Sequence, residues 1–228
     1  MQRILESRER KPMKEKVSYI IKTLKELYPD AKCALNYHEP YQLLIATRLS
    51  AQCTDKRVNE VTPALFARYP TLNDFAEADF DELCGYIHSC GFFRGKAKSI
   101  IEMSRTILSE YNGIVPDSIE ELTRLSGVGR KTANLICGDI YGKPAIIADT
   151  HCIRISNRLG LAKSTDPVKV EYALKRIIPA EDQTLFCHHL VHHGRAVCMA
   201  RSPHCAKCPL RSVCGFTAKK SSDTGKKV

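Results

Sequence analysis

The stretch LSGVGRKTAN, residues 125–134, joins two predicted helices through a turn that contains two glycines and is followed at once by a basic pair. Gly127 and Gly129 permit positive φ and remove side chains that would block a close approach to the backbone. Successive N–H groups at such a turn, beside the start of a second helix, form an anion site. The stretch predicts either a helix-hairpin-helix that holds a DNA phosphate or only a tight corner.

Helical spacing of apolar residues extends along almost the whole chain, and no sustained strand-like alternation is present. Residues 14–28 and 95–112 each predict an amphipathic helix. Ser118, with a glutamate three positions later, and Asp166, directly before a proline, each have the position of a helix N-cap. The predicted fold class is all-α.

Positive charge is in excess, with 35 lysine and arginine residues against 25 aspartate and glutamate residues and a net charge of +10 over 228 residues. Such an excess is expected when the partner is a polyanion, either nucleic acid or an anionic membrane surface, and a merely basic globular protein is the simpler alternative. Residues 1–16 lack the apolar core of a signal peptide, and no run reaches the length of a membrane span. We therefore expect an intracellular protein, cytoplasmic or nucleoid-associated, with no membrane contact and a disordered basic tail at 217–228.

Four of the eleven cysteines lie within seventeen residues near the C-terminus, with the spacing C-x6-C-x2-C-x5-C: Cys198, Cys205, Cys208 and Cys214. Clustered thiols in an intracellular protein indicate a metal rather than disulfides, and a C-x2-C pair lets two sulfurs face one site. The pattern is not the common ferredoxin run. Spacing alone thus leaves the metal open between zinc, which it slightly favours, and iron–sulfur.

Other cysteines and histidines have simpler interpretations. Four histidines could also bind a metal, but they lie in an apolar helical run beside a cysteine set that is already complete: His188, His189, His192 and His193. The remaining seven cysteines are predicted to be small buried apolar residues: Cys33, Cys53, Cys84, Cys90, Cys137, Cys152 and Cys187.

Lys131 and Asp149 are the candidate reacting groups. An amine at a helix N-terminus, among other cations, is pushed toward its neutral, nucleophilic form, although a solvated surface lysine is the simpler interpretation of Lys131. Asp149 ends the apolar run 145–148 and precedes a predicted helix. It is therefore expected to cap that helix, and a cap at the edge of a core would also hold a carboxylate rigidly.

These motifs together carry a resemblance. The hairpin with Lys131, the stretch ADTH with Asp149 eighteen residues later, the cysteine spacing and the upstream stretch LLIATRLSAQCTDKRVN occur in one order over about residues 14–216. In this combination the chain resembles the endonuclease III family of the helix-hairpin-helix DNA glycosylases.

That resemblance implies a bilobal all-α protein. One part, residues 33–143, would be a six-helix barrel that ends in the hairpin. The other, residues 1–32 with 144–216, would be a helical domain in which the four cysteines hold a [4Fe–4S] cluster.

The resemblance also implies the reaction. A monomeric enzyme of base excision repair would bind damaged double-stranded DNA, remove an oxidised pyrimidine and cut the abasic site. Lys131 would attack the sugar and form a Schiff base, with Asp149 assisting, and β-elimination would break the strand.

Six further residues are implied to contact DNA. Gln52 would bond the base left without a partner, and Phe92 would wedge into the stack, unless Phe92 is instead a core aromatic. Phosphates would be met by the remaining four: Gly127, Gly129, Arg130 and Arg201.

Two other functions stay open. A monofunctional adenine mismatch glycosylase shares the hairpin, the aspartate and the cluster, but it lacks the lysine and usually has an extra C-terminal domain, whereas this chain ends fourteen residues after Cys214. A non-catalytic DNA-binding module would bind a phosphate with the hairpin and would use the cluster only to stabilise its fold. One departure from the family is Ser126, where proline is frequent.

Overall fold

The computed structural model describes residues 12–216, and this part of the chain contains helices and no strand. Its eleven α-helices are α1 (Met13–Leu27), α2 (Pro40–Ser50), α3 (Asp55–Arg68), α4 (Leu72–Ala76), α5 (Phe80–Ile87), α6 (Phe93–Glu110), α7 (Ile119–Leu122), α8 (Arg130–Asp139), α9 (Thr150–Leu159), α10 (Pro167–Lys175) and α11 (Gln183–Ala196). Short 3-10 helices occur at His88–Cys90, Ala180–Asp182, Cys205–Lys207 and Arg211–Val213. The all-α prediction is confirmed; the tail predicted to be disordered, 217–228, lies outside the described residues.

The described chain forms two compact units. One is Cys33–Ala145, which contains α2 to α8. The other consists of residues 12–32 and 146–216 and contains α1 and α9 to α11. The assignment of a six-helix barrel and of a cluster domain to the ranges given above stays a prediction.

Helix starts occur where polar caps predict them. The Ser118 hydroxyl accepts a hydrogen bond from the Glu121 N–H at the start of α7, at 3.2 Å. The Asp166 carboxylate accepts one from the Lys169 N–H at the start of α10, at 2.9 Å. Helices α1 and α6 begin and end within two residues of the predicted ranges 14–28 and 95–112.

Helix α6 is central to the unit Cys33–Ala145. It contacts α2, α4 and α5, and the apolar side chains along its inner face, among them Ala97, Ile100 and Ile107, are completely buried. Its eighteen residues make it the longest helix among those described. Helix α8 of the hairpin packs on α2 and on α7.

Close packing of α9 against α11 organises the other unit. Gly194 of α11 makes this approach possible, because a Cβ there would contact the His151 ring and lie 2.9 Å from Arg154 Nη2. Helix α1 packs on α11 as well, and the Tyr28 hydroxyl just after α1 hydrogen-bonds His193 Nδ1 at 3.1 Å.

The seven scattered cysteines are mostly buried, as predicted. Cys84, Cys90, Cys137, Cys152 and Cys187 are buried, but Cys33 and Cys53 are only partly so. Cys33 lies in the connection between α1 and α2, and Cys53 lies between α2 and α3. Among the described residues, no helix has the length and apolar character needed to cross a membrane.

Candidate active site and metal centre

The hairpin turn is fixed by buried side chains and a tight backbone. Leu125 and Val128 are buried, and the Val128 N–H donates to the Leu125 carbonyl at 3.1 Å. Gly127, between them, has φ +76°. Of the two residues between these buried anchors, Gly127 is exposed and Ser126 is half-buried.

The two glycines of the turn are required for different reasons. At Gly127 a Cβ would lie 2.7 Å from Arg48 Nε and 3.0 Å from Ser99 Cβ, and the positive φ disfavours any side chain. Gly129 has an ordinary extended backbone, with φ −96°, and open space where a Cβ would be. Positive φ therefore occurs at Gly127 and not at Gly129. At Gly129 the absence of a side chain would matter only for a ligand that approaches the exposed backbone.

Ser126, the departure from the family pattern, fastens the turn to α6. Its hydroxyl donates to Glu102 Oε2 at 2.7 Å. A proline at this position would stiffen the turn by its ring but could not donate this bond. In this chain the turn is thus held by a hydrogen bond to α6 and not by a proline ring.

Lys131 is the second residue of α8, directly after the turn. Gly129 is the N-cap of this helix, and the Lys131 side chain is exposed while Arg130 is half-buried. The first N–H groups of any helix have no carbonyl partner within it and carry its partial positive charge. An amine, a neighbouring guanidinium and a helix N-terminus thus occur within three residues.

Asp149 caps α9, as predicted. Its Oδ1 accepts a hydrogen bond from the Cys152 N–H at 2.7 Å, and the residues before it, Ile146 and Ile147, are buried. The carboxylate itself is half-exposed. One oxygen is therefore held by the helix while the group keeps access to solvent.

Gln52 and Phe92 share an unusual backbone conformation. Their φ angles are +55° and +49°, and they are two of three non-glycine residues with positive φ in the described chain. Phe92 is 71% exposed, so the alternative interpretation of this residue as a core aromatic is wrong. Both side chains are presented at loop positions whose backbone is strained, which is frequent at functional sites.

The four clustered cysteines are neighbours in space. Burial raises the pKa of the Cys208 thiol, and the nearby Cys198, Cys214 and Cys205 raise it further. A 3-10 helix begins at Cys205 and another ends just before Cys214. In residues 12–216, however, no group of three or more histidine, cysteine, aspartate or glutamate side chains has the arrangement that holds a metal ion.

Two arginines of α9 hold the loop that contains the first of these cysteines. Arg158 donates to the carbonyls of Met199 and Ala200, both at 2.7 Å, and to Cys198 Sγ at 3.3 Å. Arg154 donates to the Cys198 carbonyl at 3.1 Å. The sequence pattern did not reveal these residues; their spacing of four along a helix was the available signal.

The loop held in this way continues directly to Arg201, which is exposed. One helix, α9, thus has the Asp149 carboxylate at its N-terminus and supports the Arg201 loop through the last two turns.

Three of the four histidines of α11 are buried, His188, His189 and His193, and His192 is half-buried. Burial lowers the pKa of His193 to about 4 and also lowers that of His189. His193 lies between the Tyr28 hydroxyl, 3.1 Å from Nδ1, and Cys208 Sγ, 3.6 Å from Nε2. A neutral imidazole here fits a packing role beside the cysteines.

Comparison with known proteins identifies the family of the chain. Residues 45–180 match the family model of the HhH-GPD superfamily base excision DNA repair proteins. Endonuclease III of Synechocystis sp. is 51% identical over 202 residues, covering 88% of this chain and 92% of that protein. Endonuclease III of Bacillus subtilis is 42% identical over 201 residues, with the same two coverages.

A solved structure gives the same result for the fold. A trapped covalent endonuclease III–DNA intermediate, an estranged-adenine complex, superposes with a TM-score of 0.85 at 41% identity, over 91% of this chain and 98% of that one. The resemblance predicted from the motifs is thereby confirmed. The chain belongs to the endonuclease III family of the HhH-GPD superfamily of base excision DNA repair proteins.

Proposed function

We propose that the protein removes oxidised pyrimidines from duplex DNA and cleaves the resulting abasic site through a Schiff base on Lys131. Its family is one of DNA glycosylases and abasic-site lyases acting in base excision repair. The observation that supports the lyase step is an exposed lysine in the first turn of the helix that follows the glycine turn.

The hairpin supplies the grip on DNA. Backbone N–H groups at the turn and at the start of α8 bind a phosphate, and Arg130 adds positive charge beside them. Such contacts read the backbone and not the base sequence. They suit an enzyme that must act on a lesion in any sequence context.

A base inside a duplex is out of reach, so the nucleotide is turned out of the helix before reaction. Phe92, exposed on its strained loop, fills the gap left in the stack. Gln52, exposed on the other strained loop, hydrogen-bonds the base that has lost its partner. Both roles need side chains that project from the protein, and both residues do so.

Lys131 then performs the chemistry. Its neutral Nζ attacks C1′ of the sugar, and the bond from C1′ to the base breaks, with the electron pair leaving on the base. The sugar ring opens to give the Schiff base. Loss of the C2′ proton breaks the C3′–O bond by β-elimination, which cuts the strand on the 3′ side, and water then hydrolyses the Schiff base.

Asp149 assists as a fixed negative charge. Its carboxylate stabilises the positive charge that develops on the sugar as the base departs, and it helps to remove a proton from the attacking amine. The hydrogen bond from the Cys152 N–H holds one oxygen, which keeps the group oriented without neutralising it.

Four cysteine thiolates are the usual ligand set of a [4Fe–4S] cluster, which supports the proposal that these four hold one, although no side chains of residues 12–216 are arranged around a single ion. Four thiolates around one zinc lie about 3.8 Å apart, because each Zn–S bond is about 2.3 Å. A cluster of four irons and four sulfides is larger, so its ligands do not have to converge so closely. Binding would also displace the proton that burial and the neighbouring thiols hold on Cys208.

The cluster is proposed to be structural. When bound, it supplies metal–thiolate bonds that cross-link residues 198–214. Arg154 and Arg158 hold the same loop by hydrogen bonds to its carbonyls. Arg201, on this loop, meets a DNA phosphate.

The role of Lys131 can be tested by covalent trapping. With duplex DNA containing an oxidised pyrimidine or an abasic site, borohydride traps the wild type covalently and does not trap Lys131→Ala. Binding to the duplex should persist in the variant, since the hairpin is intact. Absence of trapping by a folded, DNA-binding wild type would instead support the monofunctional glycosylase or the non-catalytic module.

Asp149 can be tested apart from its capping role. Asn is also a good N-cap, so Asp149→Asn should keep the melting temperature while lowering the rate of base excision by about 10²–10⁴-fold. Asp149→Ala should lose the rate and also about 1 kcal/mol of stability. If Asp149→Asn excises the base at the wild-type single-turnover rate, Asp149 only caps α9 and takes no part in the reaction.

The two glycines of the turn should respond differently to the same methyl group. Gly127→Ala should lower the free energy of unfolding by about 1–2 kcal/mol or more, because φ is positive there and Arg48 leaves no space. Gly129→Ala should change stability little, because there is open space for the methyl group. It should weaken duplex binding roughly tenfold, because the methyl group would keep a phosphate from the backbone N–H groups by an amount comparable to one hydrogen bond to a charged group. Titration of a fluorescent duplex and thermal melts measure both; unchanged binding by Gly129→Ala argues against a phosphate at this turn.

The metal prediction has a direct readout. The purified protein should be brown, with broad visible absorbance and about four irons per chain. Cys205→Ser should lose the colour, whereas Cys84→Ser, a buried cysteine of the other unit, should keep it. A colourless wild type with one zinc per chain would show that the metal is zinc, which the cysteine spacing alone slightly favours, and not iron–sulfur.

A further inference from the structure

Lys96 is a buried lysine that the proposed reaction does not use. It lies in the first turn of α6 and is 2% exposed. Its ammonium donates to two backbone carbonyls, those of Leu49 at 2.7 Å and Cys90 at 2.9 Å. Burial lowers the pKa of this amine, so the two hydrogen bonds offset a real desolvation penalty.

One of the two carbonyls lies just before each of the loops whose backbone has positive φ. Leu49 is in the last turn of α2, three residues before Gln52, and Cys90 ends the 3-10 helix two residues before Phe92. Both acceptors are at helix C-termini, where carbonyls have no partner within the helix and a cation is favourable. One ammonium therefore joins the bases of both loops.

A second contact joins the same loops. Cys53, which follows Gln52, lies near Cys90: burial and, to a smaller extent, the neighbouring Cys53 thiol raise the pKa of the Cys90 thiol to about 11. Cys90 thus has its carbonyl bonded to Lys96 and its thiol near that of Cys53. The loops are tied at their bases while their tips stay exposed.

We propose that Lys96 is a positioning residue that sets the distance between the Gln52 and Phe92 loops, so that both side chains enter one gap in the DNA stack. This rests on the function proposed above, since the gap exists only when a nucleotide has been turned out. Small displacements are enough to matter: a misplacement of about 1 Å at a distance from the chemistry can lower a rate about 10²-fold.

Lys96→Met would remove the donor for both carbonyls, so some loss of stability is expected. The geometric role is separate from that loss. An ammonium can hold two carbonyls from different segments at a fixed separation, which a methionine of similar length cannot do. A control variant that is destabilised in the same helix is therefore needed to distinguish the two effects.

The test uses Lys96→Met in the full chain and a duplex in which 2-aminopurine lies opposite a stable abasic analogue. Wild-type protein should change the 2-aminopurine fluorescence on binding, because the orphaned base is engaged. In Lys96→Met the affinity for undamaged duplex should stay within about twofold, while the preference for the abasic duplex falls about tenfold or more and the fluorescence change is mostly lost. On lesion DNA, kcat should fall more than KM rises.

Ile107→Ala is the matched control. Ile107 is completely buried in the same helix, eleven residues further along, so this variant destabilises α6 without removing either carbonyl contact. Assays run below both melting temperatures should show wild-type fluorescence for Ile107→Ala. If it loses the signal to the same extent as Lys96→Met, the effect of Lys96 is general stability and the positioning role is rejected.

Other outcomes separate the two proposals. If the wild type excises lesions and Lys96→Met matches it in fluorescence and in kcat, the positioning role fails and the proposed function stands. If the wild type neither excises nor traps, the proposed function fails and the positioning role falls with it. Should Lys96→Met not fold, Lys96→Gln, which keeps a neutral donor, serves in the same comparison.

Discussion

The fit of the hairpin turn against two helices is the constraint on which the proposed reaction depends. At Gly127 there is no space for a side chain, because Arg48 of α2 and Ser99 of α6 already occupy it. The turn is thus seated on elements that also support the Gln52 and Phe92 loops. A shift of α6 relative to α2 would move the phosphate grip, the amine of Lys131 and the inserting side chains together.

The second unit uses one helix in a comparable way. Helix α9 is capped by the proposed catalytic carboxylate, and its arginines hold the loop of the first clustered cysteine. Gly194 lets α11 approach α9 closely, and the cysteines follow α11 in the chain. The loop of the first clustered cysteine and the Asp149 carboxylate are therefore connected through a single helix. In the function proposed above, a cluster that fixes this loop would also help to fix the carboxylate without taking part in the reaction.

Local patterns in the sequence were sufficient to predict the helical fold and several of the helix starts. Helical periodicity and polar caps predicted the all-α fold and the starts at Ser118 and Asp166, since both depend on neighbours within a few residues. Contacts between distant residues could not be predicted in this way. The exposure of Phe92 and the double acceptor set of Lys96 depend on which segments meet, and the spacing that marks the cysteines as a set does not state how closely the sulfurs converge.

Ser126 shows how such a distant contact shapes the freedom of a sequence. Its hydrogen bond to Glu102 crosses 24 positions of the chain. Proline at position 126 could not donate this bond, whereas the Glu102 carboxylate would keep its ion pair with Lys98, at 3.8 Å. The effect of a substitution at position 102 should therefore depend on the residue at position 126, as expected for two side chains in direct contact.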